Sequence, residues 1–277
     1  MSKSISPIIS FKELLNLQKS NAVVLIDSRN CDVGTYQISH LKEALYVDIN
    51  TDLAEIKDPK NGGRHPLPSI SKFISVLNRL GISNYSHVVV YDENSGAFAS
   101  RMWWMLRSIG HEKVQVLDGG FDYAVQNDFP TESGDSKKPK ENDYHGSVWY
   151  WPLVNMEEVD KARQNPNKIV IDVRSEQRFR GEVEPIDLIA GHIPRAINIP
   201  FLSNVDEEGL FIPINKLAIK YADINAKYDE VIFHCGSGVT ACHGILAMEI
   251  CGFKTASLYV GSWSEWSRNE KPMIRIK

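Results

Sequence analysis

The chain has 277 residues, 43% of them hydrophobic and 24% charged, with a formal net charge of -4. That length allows about two domains with separate cores, and the acidic balance excludes the clustered basic footprint of a nucleic-acid binder. No apolar run reaches membrane-spanning length, MSKSISPIISF at the start lacks a signal-peptide core, and four cysteines without paired CxxC spacing suit neither a disulfide framework nor zinc.

In chain order, VVLIDSR at 23–29 reads as an apolar strand ending in Asp-x-Arg, and helices are expected over 70–80 and 98–108. VVVYDENSG at 88–96 is a strand running into a turn. The stretch 131–146, TESGDSKKPKENDYHG, is polar with Gly and Pro and no apolar period, and reads as a linker. The pattern then returns. IVIDVR at 169–174 repeats the Asp-x-Arg strand, and GHIPRAINIPF at 191–201 repeats SHLKEALYVDI at 39–49. VIFHCGSG at 231–238 repeats VVVYDENSG, and LYVGSWSEW at 258–266 repeats VLDGGFDYA at 116–124. Four blocks in one order, at offsets of about 140 to 150 residues, indicate a duplicated domain. Strands alternating with helices indicate α/β architecture with parallel sheets. The expected division is 1–130, a linker at 131–146, and 147–277.

The duplication is asymmetric at one position. Asp92 in the first copy stands where Cys235 stands in the second. Cys235 opens CGSGVT between an apolar strand and a helix expected over 241–250, with Gly252 as its stop. A lone cysteine after a strand is usually a small buried hydrophobe. Two glycines, the hydroxyls of Ser237 and Thr240, and a helix start fill no core, and together they favour a nucleophile. A thiolate is stabilised by converging amides and by a helix N-terminus. Gly236 and Gly238 are expected to allow unusual backbone angles and to let the loop close without side-chain clashes. Phosphate-ester cleavage would need an arginine six residues after the cysteine; Ala241 stands there, so sulfur transfer through a persulfide is favoured.

RMWWMLRSIGHEKVQVLDGGF (101–121), RFRGEVEPIDLIAGHIPRAINIPF (178–201) and CGSGVT (235–240) make the chain resemble the tandem-rhodanese-domain sulfurtransferases over nearly its whole length. The resemblance implies two tandem rhodanese-like domains, each a mostly parallel sheet flanked by helices, with the second catalytic and the first non-catalytic. It also implies sulfur transfer from 3-mercaptopyruvate through Cys235 to a thiol, thioredoxin-like or cyanide acceptor. Alternatives are thiosulfate:cyanide transfer and a non-enzymatic persulfide relay. No cofactor, metal, nucleic acid or membrane partner is expected, and the setting is expected to be cytoplasmic.

By the same resemblance Arg178 binds the donor carboxylate, and Gly236, Ser237, Gly238, Val239 and Thr240 cradle the reacting sulfur. Ser237 and His65 match two members of a serine–histidine–aspartate relay, with Asn50 in the aspartate's place. EVEPIDL lacks the second arginine that mercaptopyruvate enzymes often have there. The uncharged Gly236 and Ser237 imply a donor with one negative charge.

Several other residues read as scaffold. His40 and His192 occupy matching repeat positions, as do the pairs Asp27–Arg29 and Asp172–Arg174. Trp103, Trp104, Trp263 and Trp266 are expected in the core. Cys242, about two helical turns beyond Cys235, is expected to be buried packing.

Overall fold

The computed structural model describes residues 5–20, 22–29, 32–137 and 139–275. Cys31 lies outside the described residues. Five parallel strands make the first sheet: β1 (Ile8–Ile9), β2 (Val24–Asp27), β4 (Leu45–Tyr46), β5 (Val88–Tyr91) and β6 (Val114–Leu117), ordered β1-β6-β5-β2-β4. A short antiparallel pair joins β3 (His40–Leu41) to β7 (Thr131–Glu132). The second sheet holds β8 (Lys168–Asp172), β9 (Ile197–Asn198), β10 (Glu230–His234) and β11 (Ser257–Leu258), ordered β11-β10-β8-β9 and also parallel.

The central strands are runs of Val, Ile and Phe that tolerate burial on both faces. All four residues of β5 are buried, as are the last four of β10. The helices that follow them, Ala99–Ser108 and Ala241–Ile250, are buried almost all round, unlike the amphipathic Ile70–Arg79, which buries Phe73, Val76 and Leu77. Trp103, Trp104, Trp263 and Trp266 are fully buried, as expected.

The chain forms two compact units, each discontinuous in sequence. The first comprises Met1–Ala54, Pro68–Tyr150 and Glu207–Phe211; the second comprises Glu55–Leu67, Trp151–Asp206 and Ile212–Lys277. This differs from a single cut with a linker at 131–146. Within that stretch β7 pairs with β3, Tyr144 is buried, and its amide donates to Asn78 Oδ1 at 2.8 Å. The polar composition satisfies backbone groups along the first unit instead of leaving them to solvent.

The repeat extends to side chains. Arg29 holds Asp27 and donates to the Ser39 carbonyl, while Arg174 holds Asp172 and donates to the Gly191 carbonyl, both carbonyl contacts at 2.7 Å. His40 Nδ1 donates to the Tyr36 carbonyl and the ring stacks on Tyr36. His192 does the same with Phe179. These groups tie strand ends to the following loops, so their recurrence reflects architecture.

Candidate active site

The parallel register of β8 and β10 sets Asp172 opposite His234, so the chain leaves the sheet at Cys235 beside the Asp172–Arg174 pair. The turn is then pinned from residues 261–264. Cys235 N–H donates to Ser262 Oγ at 3.1 Å, and the Cys235 carbonyl accepts from Trp263 N–H at 3.0 Å. Gly236 carbonyl accepts from Ser264 N–H at 2.9 Å. Ser262 adopts φ 54° to offer its hydroxyl this way, a conformation non-glycine residues rarely take.

The Cys235 side chain is buried, and its sulfur accepts N–H bonds from Ser237 at 3.4 Å and Gly238 at 3.1 Å. These donors stabilise negative charge on sulfur. Val239 and Thr240 make no such bond; Val239 is buried and Thr240 caps the helix Ala241–Ile250 through its backbone alone. Gly238 has φ 75°, and a Cβ there would stand 2.5 Å from the Val260 carbonyl oxygen. Gly236 has no positive φ, so of the two expected reasons for glycine only freedom from side-chain clash applies there, while Gly238 shows both. It is small because guanidinium groups crowd it. A Cβ at Gly236 would lie 2.9 Å from Arg64 Nη2 and 3.5 Å from Arg178 Nη2.

Arg178 thus reaches the loop from the helix Glu176–Arg180. Its Nη2 donates to Glu184 Oε1 at 2.7 Å and approaches Asp187 Oδ2 at 3.4 Å. Burial is the largest influence and works against ionisation of Glu184, but the bond and charge of Arg178 together with the Asp187 and Ile186 amides outweigh it and hold the carboxyl below its ordinary range. His65 Nδ1 lies 2.7 Å from Ser237 Oγ, so these two expected partners meet. Asn50 belongs to the first unit, where its amide donates to Asp48 Oδ1 at 2.7 Å.

Cys242 is fully buried with its thiol toward the Gly238 carbonyl, in agreement with a packing role. Behind the loop, burial pushes His234 below the ordinary histidine range, partly offset by Asp172 at 3.7 Å.

Sequence reasoning missed Arg64, Asp187, Ser262 and Glu265. Glu265 Oε1 accepts Gly62 N–H at 2.7 Å and Ser264 Oγ accepts Arg64 N–H at 2.9 Å, which fastens the segment carrying Arg64 and His65. A Cβ at Gly63 would collide with the Gly261 carbonyl, so glycine is required there. The available signal was RHPLP, in which a cation directly precedes His65.

The Rhodanese-like domain family matches residues 10–126 and 155–269. The chain is 37% identical over 234 residues to a probable 3-mercaptopyruvate sulfurtransferase of Pseudomonas aeruginosa, covering 83% of this chain and 82% of that protein. It is 34% identical over 247 residues to the thiosulfate sulfurtransferase of Rattus norvegicus, covering 87% and 82%. Among solved structures, the 3-mercaptopyruvate sulfotransferase SseA from Escherichia coli superposes with TM-score 0.79 at 28% identity, covering 94% of this chain and 99% of that one.

Proposed function

Since the chain belongs to the rhodanese-like domain family, with two copies in tandem, we propose that it is a sulfurtransferase whose second domain carries sulfur from 3-mercaptopyruvate on Cys235. The observation that carries this reading is a buried thiol facing two backbone amides, with guanidinium groups against the same turn. An anionic nucleophile and an anionic donor are both accommodated there, which favours their encounter.

In the donor step the Cys235 thiolate attacks the sulfur of mercaptopyruvate. An S–S bond forms as the donor's C–S bond breaks, and the electron pair leaves on carbon as the pyruvate enolate. The hydrogen of the donor thiol ends on that carbon, giving pyruvate and a Cys235 persulfide. The Ser237–His65 pair, 2.7 Å apart, is suited to moving this proton. Arg178 orients the donor carboxylate, for which a planar guanidinium fork is well matched. In the second step an acceptor takes the outer sulfur and the electron pair of the S–S bond returns to Cys235. Cyanide becomes thiocyanate, or a thiol becomes a persulfide.

A reducing, cytoplasmic setting suits this cycle, because Cys235, Cys242 and Cys251 are all free thiols. Among the described residues no helix is long and apolar enough to cross a membrane. A second reading, thiosulfate as donor, draws on the two arginines at Gly236 and on the rat relative.

The test is intact mass after donor treatment without acceptor. Wild type should gain one sulfur, mapped to Cys235, and Cys235→Ser should gain none. A persulfide mapped to Cys242 would overturn the assignment.

A further inference from the structure

The Asp187 side chain is fully buried and is shared by three arginines. Arg64 Nε lies 3.1 Å from Oδ1 and its Nη2 donates to Oδ2 at 3.4 Å. Arg268 Nη1 lies 2.9 Å from Oδ1, and Arg178 Nη2 lies 3.4 Å from Oδ2. Glu184, buried beside it, bridges Arg178 to Arg174 (3.2 Å), and Arg174 in turn holds Asp172. The connected cluster therefore contains four arginines (64, 174, 178 and 268) against three acids (172, 184 and 187), leaving one positive charge. Charges in such a buried cluster are costly unless balanced, so the excess decides which ligand charge fits.

Arg64 and Arg178 are the members that face Gly236 beside Cys235. Arg64 is rigidly delivered. Its own amide is bound by Ser264 Oγ, Gly62 is bound by Glu265, and Asn269 Nδ2 donates to the Lys60 carbonyl at 3.0 Å. We propose that Arg64 is a donor-specificity residue and that Asp187, acting through it, sets the pocket for a single negative charge. The selection of donor is then made by the arginines beside the turn and not by the uncharged loop. The Cys235 thiolate balances that excess, so a carboxylate monoanion brings one further negative charge beside it and a dianion brings two, which disfavours the dianion.

This inference rests on the sulfurtransferase reading, and its test separates the two. Protection of Cys235 from alkylation is titrated with pyruvate, a monoanion, and with sulfate, a dianion, at fixed ionic strength. In parallel, kcat/KM is measured for mercaptopyruvate and thiosulfate. Asp187→Asn raises the excess to two and should shift both dianion-to-monoanion ratios upward by about tenfold. Arg64→Gln removes the excess and should shift both ratios down, mainly through KM. The double variant Arg64→Gln/Asp187→Asn restores one net charge and should return the ratios toward wild type, an outcome that merely structural damage would not give. Ratios that stay fixed in Arg64→Gln, or a double variant that compounds the single losses without restoring selectivity, overturn the proposal. If Asp187→Asn does not fold, the downward shift in Arg64→Gln alone decides. Protection that follows charge in a protein with no turnover would overturn the sulfurtransferase reading and leave only the selection of anions by charge at Arg64 and Asp187.

Discussion

Asp92 and Cys235 hold the same place in the two repeats, and each points an acceptor atom into the turn it opens. Asp92 Oδ1 accepts from Asn94 and Gly96 amides, both at 2.8 Å, and Oδ2 accepts from Phe98 and Ala99 at 2.6 and 2.8 Å. Cys235 sulfur accepts from Ser237 and Gly238. The first turn is therefore an amide cradle filled by its own carboxylate, while the second carries a polarisable sulfur that can react. Replacing Asp92 by Ala strands four N–H groups, two buried and two half-buried, and should cost about 3 to 5 kcal/mol. Urea unfolding checks this, and a loss below about 1 kcal/mol would mean that the loop re-pairs its amides.

The two loop glycines should fail in different ways. At Gly238 a side chain meets the Val260 backbone with φ already at 75°, so Gly238→Ala should destabilise the fold by about 1 to 3 kcal/mol. At Gly236 the obstacle is the far end of the Arg64 side chain, which need give only slightly while its ion pair with Asp187 is kept. Gly236→Ala should keep stability within about 1 kcal/mol yet lower donor kcat/KM about tenfold. Thermal melts paired with steady-state kinetics separate the two, and equal stability losses would contradict the geometry.

If the Ser237–His65 contact moves a proton, Ser237→Ala should lower kcat with mercaptopyruvate by about a hundredfold and leave KM nearly unchanged. His65→Gln should lose a similar factor, and the double variant little more, because partners in one relay are not additive. Multiplicative losses would show that the two residues act separately.

Burial pushes His111, His192 and His234 below the ordinary histidine range. The unfolded chain therefore takes up protons that the folded chain refuses as pH falls through the unfolded value of about 6.5. The associated stability is complete above that pH and is lost below it. Each such histidine contributes a slope of at most about 1.4 kcal/mol per pH unit. Unfolding free energies at pH 8 and pH 5.5 should differ in that sense, and His234→Gln should flatten the decline. An unchanged slope would mean that His234 is protonated in the folded state.

Much of the architecture was legible because it is written in local order. VVVY and VIFH are short β-rich runs, and each is followed by a turn and a helix, so strand, loop and helix were readable at Cys235 without any contact information. The repeat likewise exposed Asp27–Arg29 and Asp172–Arg174 as scaffold, since a pair two residues apart closes on itself. Boundaries fared less well. Residues 55–67 contain no helix or strand among the described elements, and composition alone gave no reason to assign them to the second unit.

The charge of the pocket was decided by tertiary structure. CGSGVT is uncharged when read as a string, and the sequence reading placed Arg178 beside it but missed Arg64, because electrostatic fields act through space and not along the chain. Arg64 lies 171 positions before Cys235, as the difference of their numbers shows, yet its guanidinium presses on Gly236. Its direction is fixed by Asp187, which lies in EVEPIDL, the stretch that lacks the second arginine the family resemblance implies. The sequence by itself determined the lone thiol at the end of β10, the turn that presents it and the duplicated sheets. Tertiary structure decided which cations face that thiol, because that depends on where remote segments are fastened and which buried acid they share.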